Sequence, residues 1–284
     1  MTKKPALVSI IVPTYKSAAT IENCLKSIQQ QTYDPIELIV VDNHSADNTA
    51  EIAKKYTDKV FIQGPERSAQ RNFGVEKASG EFVVIIDSDM ELTPGVVAAC
   101  VEQMQDKHVV EVVIPEESFG DGFWAACKRL ERSFYVGVSW IEAARFFRRQ
   151  TYLAVGGYDT NMVSGEDWDL SQRMEAHGKV ARVDTFILHN EGRFSLVKTL
   201  KKKYYYAGKF TEFTAKQEVS GHNRQPGSIV VKRFKLFLSQ PKKLFKNPLL
   251  GLGVLWMKVW EFGFGGLGYV AAKFKQKRRV ADEG

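Results

Sequence analysis

The sequence predicts an α/β protein built on a mostly parallel sheet wound by helices. Apolar runs suited to buried strands alternate with segments of helical periodicity through the first half of the chain. Three of these runs end in polar groups, at Pro13-Thr14-Tyr15, Asp42-Asn43 and Asp87-Ser88-Asp89. The last puts two carboxylates one residue apart at a strand's C-terminal edge, where an open α/β sheet binds its ligands. Acids so close repel each other, and a shared cation relieves the repulsion; a solvated turn with Asp87 bonded to the following backbone is the other reading.

Val8 to Val12 reads as the first strand, closed by Pro13, and Thr20 is placed to cap a helix with the apolar face Ile21, Cys24, Leu25 and Ile28. Ile36 to Val41 predicts a second strand ending at Asp42, then a helix over Asp47 to Tyr56 and a short strand at Val60 to Ile62. A helix from Ser68 to Ala78, stopped by Gly80, precedes the strand Phe82 to Ile86, and Val109 to Ile114 is a further strand. Beyond it the pattern is less regular. Gly120 to Gly122 predicts a loop and Phe123 to Ser139 a helix or a mobile segment. Ala144 to Arg148 predicts a strand and Tyr152 to Val155 a short helix broken by Gly156-Gly157. Glu166 to His177 predicts a helix with Asp169 and Arg173 spaced for a surface pair, before short strands at Val180 to Val183 and Phe186 to His189.

The chain of 284 residues, 44% hydrophobic, can build a real core. Its formal charge of +7 sits mostly in the last third, at Lys198, Lys201 to Lys203, Lys242, Lys243, Lys246, Lys273, Lys275, Lys277, Arg278 and Arg279. That points to an anionic surface as partner, and the apolar and aromatic residues between the charges favour a bilayer over nucleic acid. No base-stacking or groove-reading element is identifiable, so no nucleic-acid partner is expected. Cys24, Cys100 and Cys127 lack metal-site spacing and read as reduced core residues. The opening Met-Thr-Lys-Lys-Pro has no signal-peptide apolar region, so the expected location is the cytoplasmic side of the cell membrane, peripheral or monotopic.

Pro248 to Ala272 is apolar except for Lys258 and Glu261. Its length just suffices for a span, but each central charge costs about 2.5–3.5 kcal/mol on insertion scales. Helices lying in, or dipping into, the cytoplasmic leaflet are expected; a helical hairpin packed on the catalytic domain or in a dimer is the alternative.

The stretches Val8-Ser-Ile-Ile-Val-Pro-Thr-Tyr15, Val40-Val-Asp-Asn-His-Ser45, Arg71-Asn-Phe-Gly74, Ala78-Ser-Gly-Glu81 and Gly165-Glu-Asp-Trp-Asp-Leu170 together resemble glycosyltransferase family 2. The resemblance spans roughly residues 7 to 190 and implies a GT-A fold, a Rossmann-like mixed sheet wound by helices. It suggests a catalytic domain over 1–225, with a nucleotide half to about 115 and an acceptor half from about 116. A basic, apolar, membrane-associating tail would follow over 226–284.

It also implies roles. Tyr15 would stack on a nucleotide base, with Pro13 and Thr14 shaping the turn; a rim aromatic is the alternative. Asp42 would accept the imide hydrogen of uracil, or cap a helix. Arg71 would face the diphosphate, or make a surface salt bridge. Asp87 and Ser88 belong to the donor site, with Asp87 on the ribose or the cation and Asp89 on the cation, Mg2+ or Mn2+. His189 would complete the metal shell or touch the diphosphate, or be a core or rim histidine. Asp167 would be the base that takes the acceptor proton in an inverting transfer, or, with Glu166, only a favourable first-turn acid. Glu166 would hold the acceptor or orient the loop, and Trp168, with Trp124 and Trp140, would line the acceptor groove or simply pack.

The expected activity is therefore transfer of one sugar from a nucleotide-sugar, UDP-linked, to a hydroxyl of a membrane- or lipid-linked glycan. The Gln-x-x-Arg-Trp motif of processive synthases in this family is missing, which favours single addition. A polyprenyl-phosphate hexosyltransferase and a non-catalytic membrane-bound scaffold are the competing readings. A nucleotidyltransferase would need a Gly-rich phosphate loop after the first strand, which this chain lacks.

Overall fold

The computed structural model describes residues 4–219 and 226–282. The expected boundary at 225 and the side chains of Lys275, Lys277, Arg278 and Arg279 lie outside the described residues. Met1–Ser118, Val136–Thr160 and Glu166–Asn190 form one compact unit, and Phe119–Tyr135, Asn161–Gly165 and Glu191–Gly284 form a second.

The first unit opens with β1 (Val8–Thr14), α1 (Ile21–Gln29), β2 (Ile36–Asp42), α2 (Thr49–Ala53), β3 (Val60–Ile62), α3 (Arg67–Lys77) and β4 (Phe82–Ile85). It continues through β5 (Met90–Leu92), α4 (Val96–Gln103), β6 (Val109–Val113) and the first residues of β7 (Glu116–Asp121). After α5 (Phe123–Ser133), which belongs to the second unit, come β8 (Ala144–Arg148), α6 (Arg149–Ala154), α7 (Glu166–Glu175), β9 (Lys179–Arg182) and most of β10 (Ile187–Arg193). Seven strands make one sheet in the order β3-β2-β1-β4-β8-β6-β9, and β5-β10-β7 make a smaller one. In the large sheet β8 runs antiparallel to both β4 and β6, so the sheet is mixed. Alternate residues of β1 feed opposite faces: Val8, Ile10 and Val12 join α1 and α4 in one core, while Ile11 packs in another beside Val75 of α3.

Several expected boundaries shift for identifiable reasons. β1 continues through Pro13 to Thr14. Ile11 O accepts from Ile86 N–H on the β4 side, and Pro13 faces that same side, beyond the last β1–β4 pair, so its missing N–H deprives no partner. The helix expected over 47–56 forms only at Thr49–Ala53, because the Asp47 carboxylate accepts from Thr49 and sits ahead of the first turn. The loop expected at Gly120 to Gly122 is the end of β7 and the entry to α5; a side chain at Gly120 would meet Gly192 O at 2.7 Å. Asp169 and Arg173 do pair, at 2.7 Å, but Asp169 is buried rather than on the surface.

The second unit adds α8 (Leu196–Val219), α9 (Pro226–Leu238), α10 (Pro241–Leu244) and α11 (Pro248–Asp282). Cys127 and Phe134 of its early segment, Phe237, Leu244, Val254 and Met257 make its core. Lys258 and Glu261 are buried: Lys258 Nζ contacts both Glu131 and Glu261. Glu131 also accepts from Tyr135 Oη at 2.5 Å and Lys128 Nζ at 3.0 Å. Burial works against the Glu131 carboxylate, but Lys128 and Lys258 outweigh it and hold its pKa well below the usual carboxylate range. All three cysteines are free and buried. Among the described residues no helix is long and apolar enough to cross a membrane.

Candidate active site

The ends of β1, β2 and β4 lie side by side because the three strands are parallel and adjacent. Thr14 is buried, and its carbonyl accepts from Asn43 N–H at 2.9 Å and Gln70 Nε2 at 3.0 Å, tying β1, β2 and α3 together. Tyr15 follows with its ring exposed, and Lys16 Nζ stands 5.1 Å from the ring centroid. Asp42 is buried at the end of β2. Its Oδ2 accepts from Ser45 N–H at 2.7 Å and its Oδ1 from Ser45 Oγ at 2.6 Å, which folds the following turn back on the strand. Ser88 donates to Ser17 Oγ at 2.7 Å.

Arg71 is the hub, and the four residues from it onward show why α3 can place it. Gly74 lets the helix close on β1, since a Cβ there would meet Ile11 Cγ2 at 2.4 Å. Phe73 packs edge-on against Phe61 at 5.6 Å. Asn72 clamps the segment after α6: its Nδ2 donates to Tyr158 O at 2.8 Å, and its Oδ1 accepts from Tyr152 Oη at 2.6 Å and Tyr158 N–H at 2.9 Å. Arg71 itself is fully buried over the Tyr158 ring, 4.9 Å from its centroid. Its guanidinium reaches Asp87 Oδ1 at 3.0 Å, Asp167 Oδ1 at 3.3 Å and Glu166 Oε1 at 3.6 Å. One cation thus joins the end of β4 to the start of α7.

A second chain of charges runs beside it. Arg145 on β8 donates from Nε to Glu116 Oε1 at 2.8 Å, and its Nη1 lies 3.7 Å from Asp87 Oδ2. Glu116 Oε2 is 3.7 Å from His189 Nδ1, and His189 Nε2 is 3.5 Å from Asp89 Oδ2. Burial alone would raise the Asp87 carboxyl, but the charges of Arg71, Arg145 and Arg67 hold it well below the usual carboxylate range. Glu166 goes the other way: burial first, and the Asp167 charge second, push it up against the pull of Arg71 and Arg67.

Residues 9–164 of this chain match the profile of glycosyl transferase family 2. The chain belongs to that family. Among curated relatives it is 32% identical over 108 residues to a GalNAc(5)-diNAcBac-PP-undecaprenol beta-1,3-glucosyltransferase of Campylobacter jejuni, covering 34% of each chain. It is 34% identical over 115 residues to the glycosyltransferase GlyG of Streptococcus pneumoniae, covering 38% of each. The matched stretches thus span about a third of the length of these relatives. Among solved structures, the mannosyltransferase PcManGT of Pyrobaculum calidifontis, in complex with GDP-Man and Mn2+, superposes with a TM-score of 0.56 at 18% identity, over 95% of this chain and 76% of that one. TarS 1-349 of S. aureus in complex with UDP-GlcNAc gives 0.52 at 16% identity, over 95% and 91%. These likenesses show the shared GT-A fold.

In this family member Asp87, Asp167, Glu166 and Arg71 meet in one cluster, and Asp89 meets His189. Pro13, Thr14, Tyr15, Asp42 and Ser88 stand at the neighbouring strand ends, while Trp168 lies on α7 one residue past Asp167. The donor set of Asp89 and His189 suits a hard or borderline divalent cation, with Asp89 half-exposed toward solvent. Asp87 is turned instead to Arg71 and Arg145. Among the described residues no three His, Cys, Asp or Glu side chains are already gathered around a metal position. Arg145, Glu116 and Tyr158 are in the cluster but were not singled out in the sequence. The one signal was an arginine inside the apolar strand Ala144–Arg148; Glu116 and Tyr158 lie in irregular stretches that carry none.

Proposed function

We propose that this protein is a glycosyltransferase that moves one sugar, with inversion, from a UDP-linked donor to a hydroxyl of a lipid-linked glycan at an anionic membrane surface. The observation that carries the reading is Arg71, buried and shared between Asp87 on the donor side and Asp167 on the acceptor side. Asp167 is the base: it takes the acceptor O–H proton as the oxygen attacks the anomeric carbon from the face opposite the diphosphate. The bond from that carbon to the diphosphate oxygen breaks, and the electron pair leaves on the nucleoside diphosphate. Arg71 stabilises the charge that develops there. Tyr15 stacks on the base, Pro13 and Thr14 shape its seat, and Asp42 accepts the uracil imide N–H with lone pairs left after its bonds to Ser45. Asp87 and Ser88 hold the ribose side, and Glu166 and Trp168 hold the acceptor.

Asp89 and His189, with Asp87 if it swings from the arginines, would hold Mg2+ or Mn2+, which supplies Lewis-acid neutralisation of the leaving diphosphate. The relatives lend support: one Campylobacter jejuni relative is named for a lipid-linked substrate, and the two structural neighbours were solved with nucleotide-sugars. The test is a panel of labelled nucleotide-sugars with divalent metal, offered with lipid extract. Organic-soluble product from a UDP-sugar, lost in Asp167→Asn, is expected. Product from no UDP-sugar overturns the donor assignment, and near-normal transfer by Asp167→Asn overturns the hydroxyl acceptor in favour of a phosphate one.

A further inference from the structure

The helix α11 is built inside-out. Its buried positions include Glu261, Lys258, which is paired with both Glu131 and that same Glu261, and glycines that let neighbours approach. A Cβ at Gly268 would meet Tyr204 O at 2.1 Å, and one at Gly253 would meet Cys127 Sγ at 2.5 Å. The exposed positions repeat at helical spacing, and from Leu249 to Val270 every one is apolar or glycine: Leu249, Leu252, Trp256, Val259, Trp260, Gly263, Gly266, Leu267 and Val270. Their large side chains range from 42% exposed at Trp260 to 73% at Leu249. At 1.5 Å per residue this stripe is about 32 Å long. Near its start Phe123, Trp124, Leu252 and Trp256 line an open apolar hollow of about 520 Å³. A face of this size turned to water calls for a partner.

Charge identifies that partner. Lys232, Lys235, Lys242, Lys243 and Lys246 are exposed on the segments leading into α11, and Phe245 beside them is exposed too. Between Glu218 and Glu261 the chain has no acidic residue. A second copy seated on this face would bring more lysines and no acid to pair with them. An anionic bilayer supplies both headgroup charge for the lysines and hydrocarbon for the stripe, with Trp256 and Trp260, 5.8 Å apart, suited to the boundary.

We infer that the outer face of α11 lies in the plane of an anionic lipid leaflet, its stripe among the acyl chains and the lysines of 232–246 at the headgroups. This rests on the membrane-surface part of the function above and not on its chemistry. The decisive experiment is flotation of the full chain with vesicles of phosphatidylcholine, with and without phosphatidylglycerol, alongside tryptophan quenching by brominated lipid. Binding to the anionic vesicles, quenching of Trp256 and Trp260 that Trp256→Phe with Trp260→Phe removes, and binding at least about tenfold weaker in Leu252→Glu with Trp256→Glu are expected. Lys242→Glu with Lys243→Glu should weaken binding mainly at low salt. Donor hydrolysis by the Leu252→Glu, Trp256→Glu variant should match the parent, which separates a lost surface from a lost fold or a wrong chemistry. Unquenched tryptophans, or vesicle binding unchanged in that variant, overturn the inference. So does a parent dimer that the variant splits while vesicle binding persists, since the face would then join two copies.

Discussion

Arg71 and Lys258 are both fully buried cations ringed by carboxylates, one in each unit, yet they are finished differently. Around Lys258 the acids are sealed in: Glu131 and Glu261 keep only 1% and 2% of their side-chain exposure, and Lys128 and Tyr135 close on Glu131. Around Arg71 Glu166 is buried, but the other two acids open outward, with Asp87 19% and Asp167 33% exposed. Burying an ion pair is expensive, and a sealed one is replaceable by apolar residues at little cost. An open one keeps carboxylates at the surface, where they can meet a substrate.

The sharpest way to break this contrast is at the open end. Asp167→Asn should lower turnover by about 10²–10⁴-fold, with a far smaller shift in donor affinity, read by calorimetry, passed on through the shared Arg71. A comparable loss of donor binding would mean that Asp167 serves the donor side instead. Next comes Arg71→Met, which strands Asp87, Glu166 and Asp167 without their shared cation and should abolish transfer and cost about 3–5 kcal/mol in urea unfolding. In the sealed cluster Lys258→Met alone should cost a similar ~3–5 kcal/mol, whereas joint replacement of Lys258, Glu131 and Glu261 by Met, Leu and Leu should come out near neutral. Both should leave turnover per folded molecule intact; a fall in turnover would show that the sealed cluster is not a mere strut.

Glu111 gives a control, being a buried acid that pairs with no cation among the described residues. Burial on β6 pushes its carboxyl up to about 8, eased only by Ser171 Oγ at 3.4 Å. Because its folded-state pKa lies above the unfolded value, it favours folding fully at low pH, and that contribution is lost as pH rises through about 8. Glu111→Gln should therefore flatten the fall of the urea midpoint between about pH 5 and 8 and add up to roughly 3 kcal/mol at neutral pH. A parallel fall in both proteins would place the titration elsewhere.

The strand ends at Thr14, Asp42 and Asp87 and the acids opening α7 were legible because strand alternation, parallel order and helix-start chemistry are local signals that accumulate along the chain. Arg145 and Glu116 were not, since what assigns them to the site is a pairing across 29 residues. The helix α4 also escaped: Val96 to Val101 is rich in valine and alanine, and its polar residues set no period. In the sequence Lys258 and Glu261 stand out only as charges interrupting an apolar run. Their burial depends on Glu131, more than a hundred residues earlier, and no periodicity in α11 could disclose it.

The sharing of Arg71 has a consequence for timing. A single guanidinium cannot fully neutralise three acids at once, so its attention is divided among Asp87, Glu166 and Asp167. Whatever draws Asp87 away must hand a larger part of that cation to the other two, and by reciprocity a change at Asp167 is felt at Asp87. Asp87 and Asp167 are thus wired to one pivot, and neither can be tuned by evolution or by a protein engineer without retuning the other.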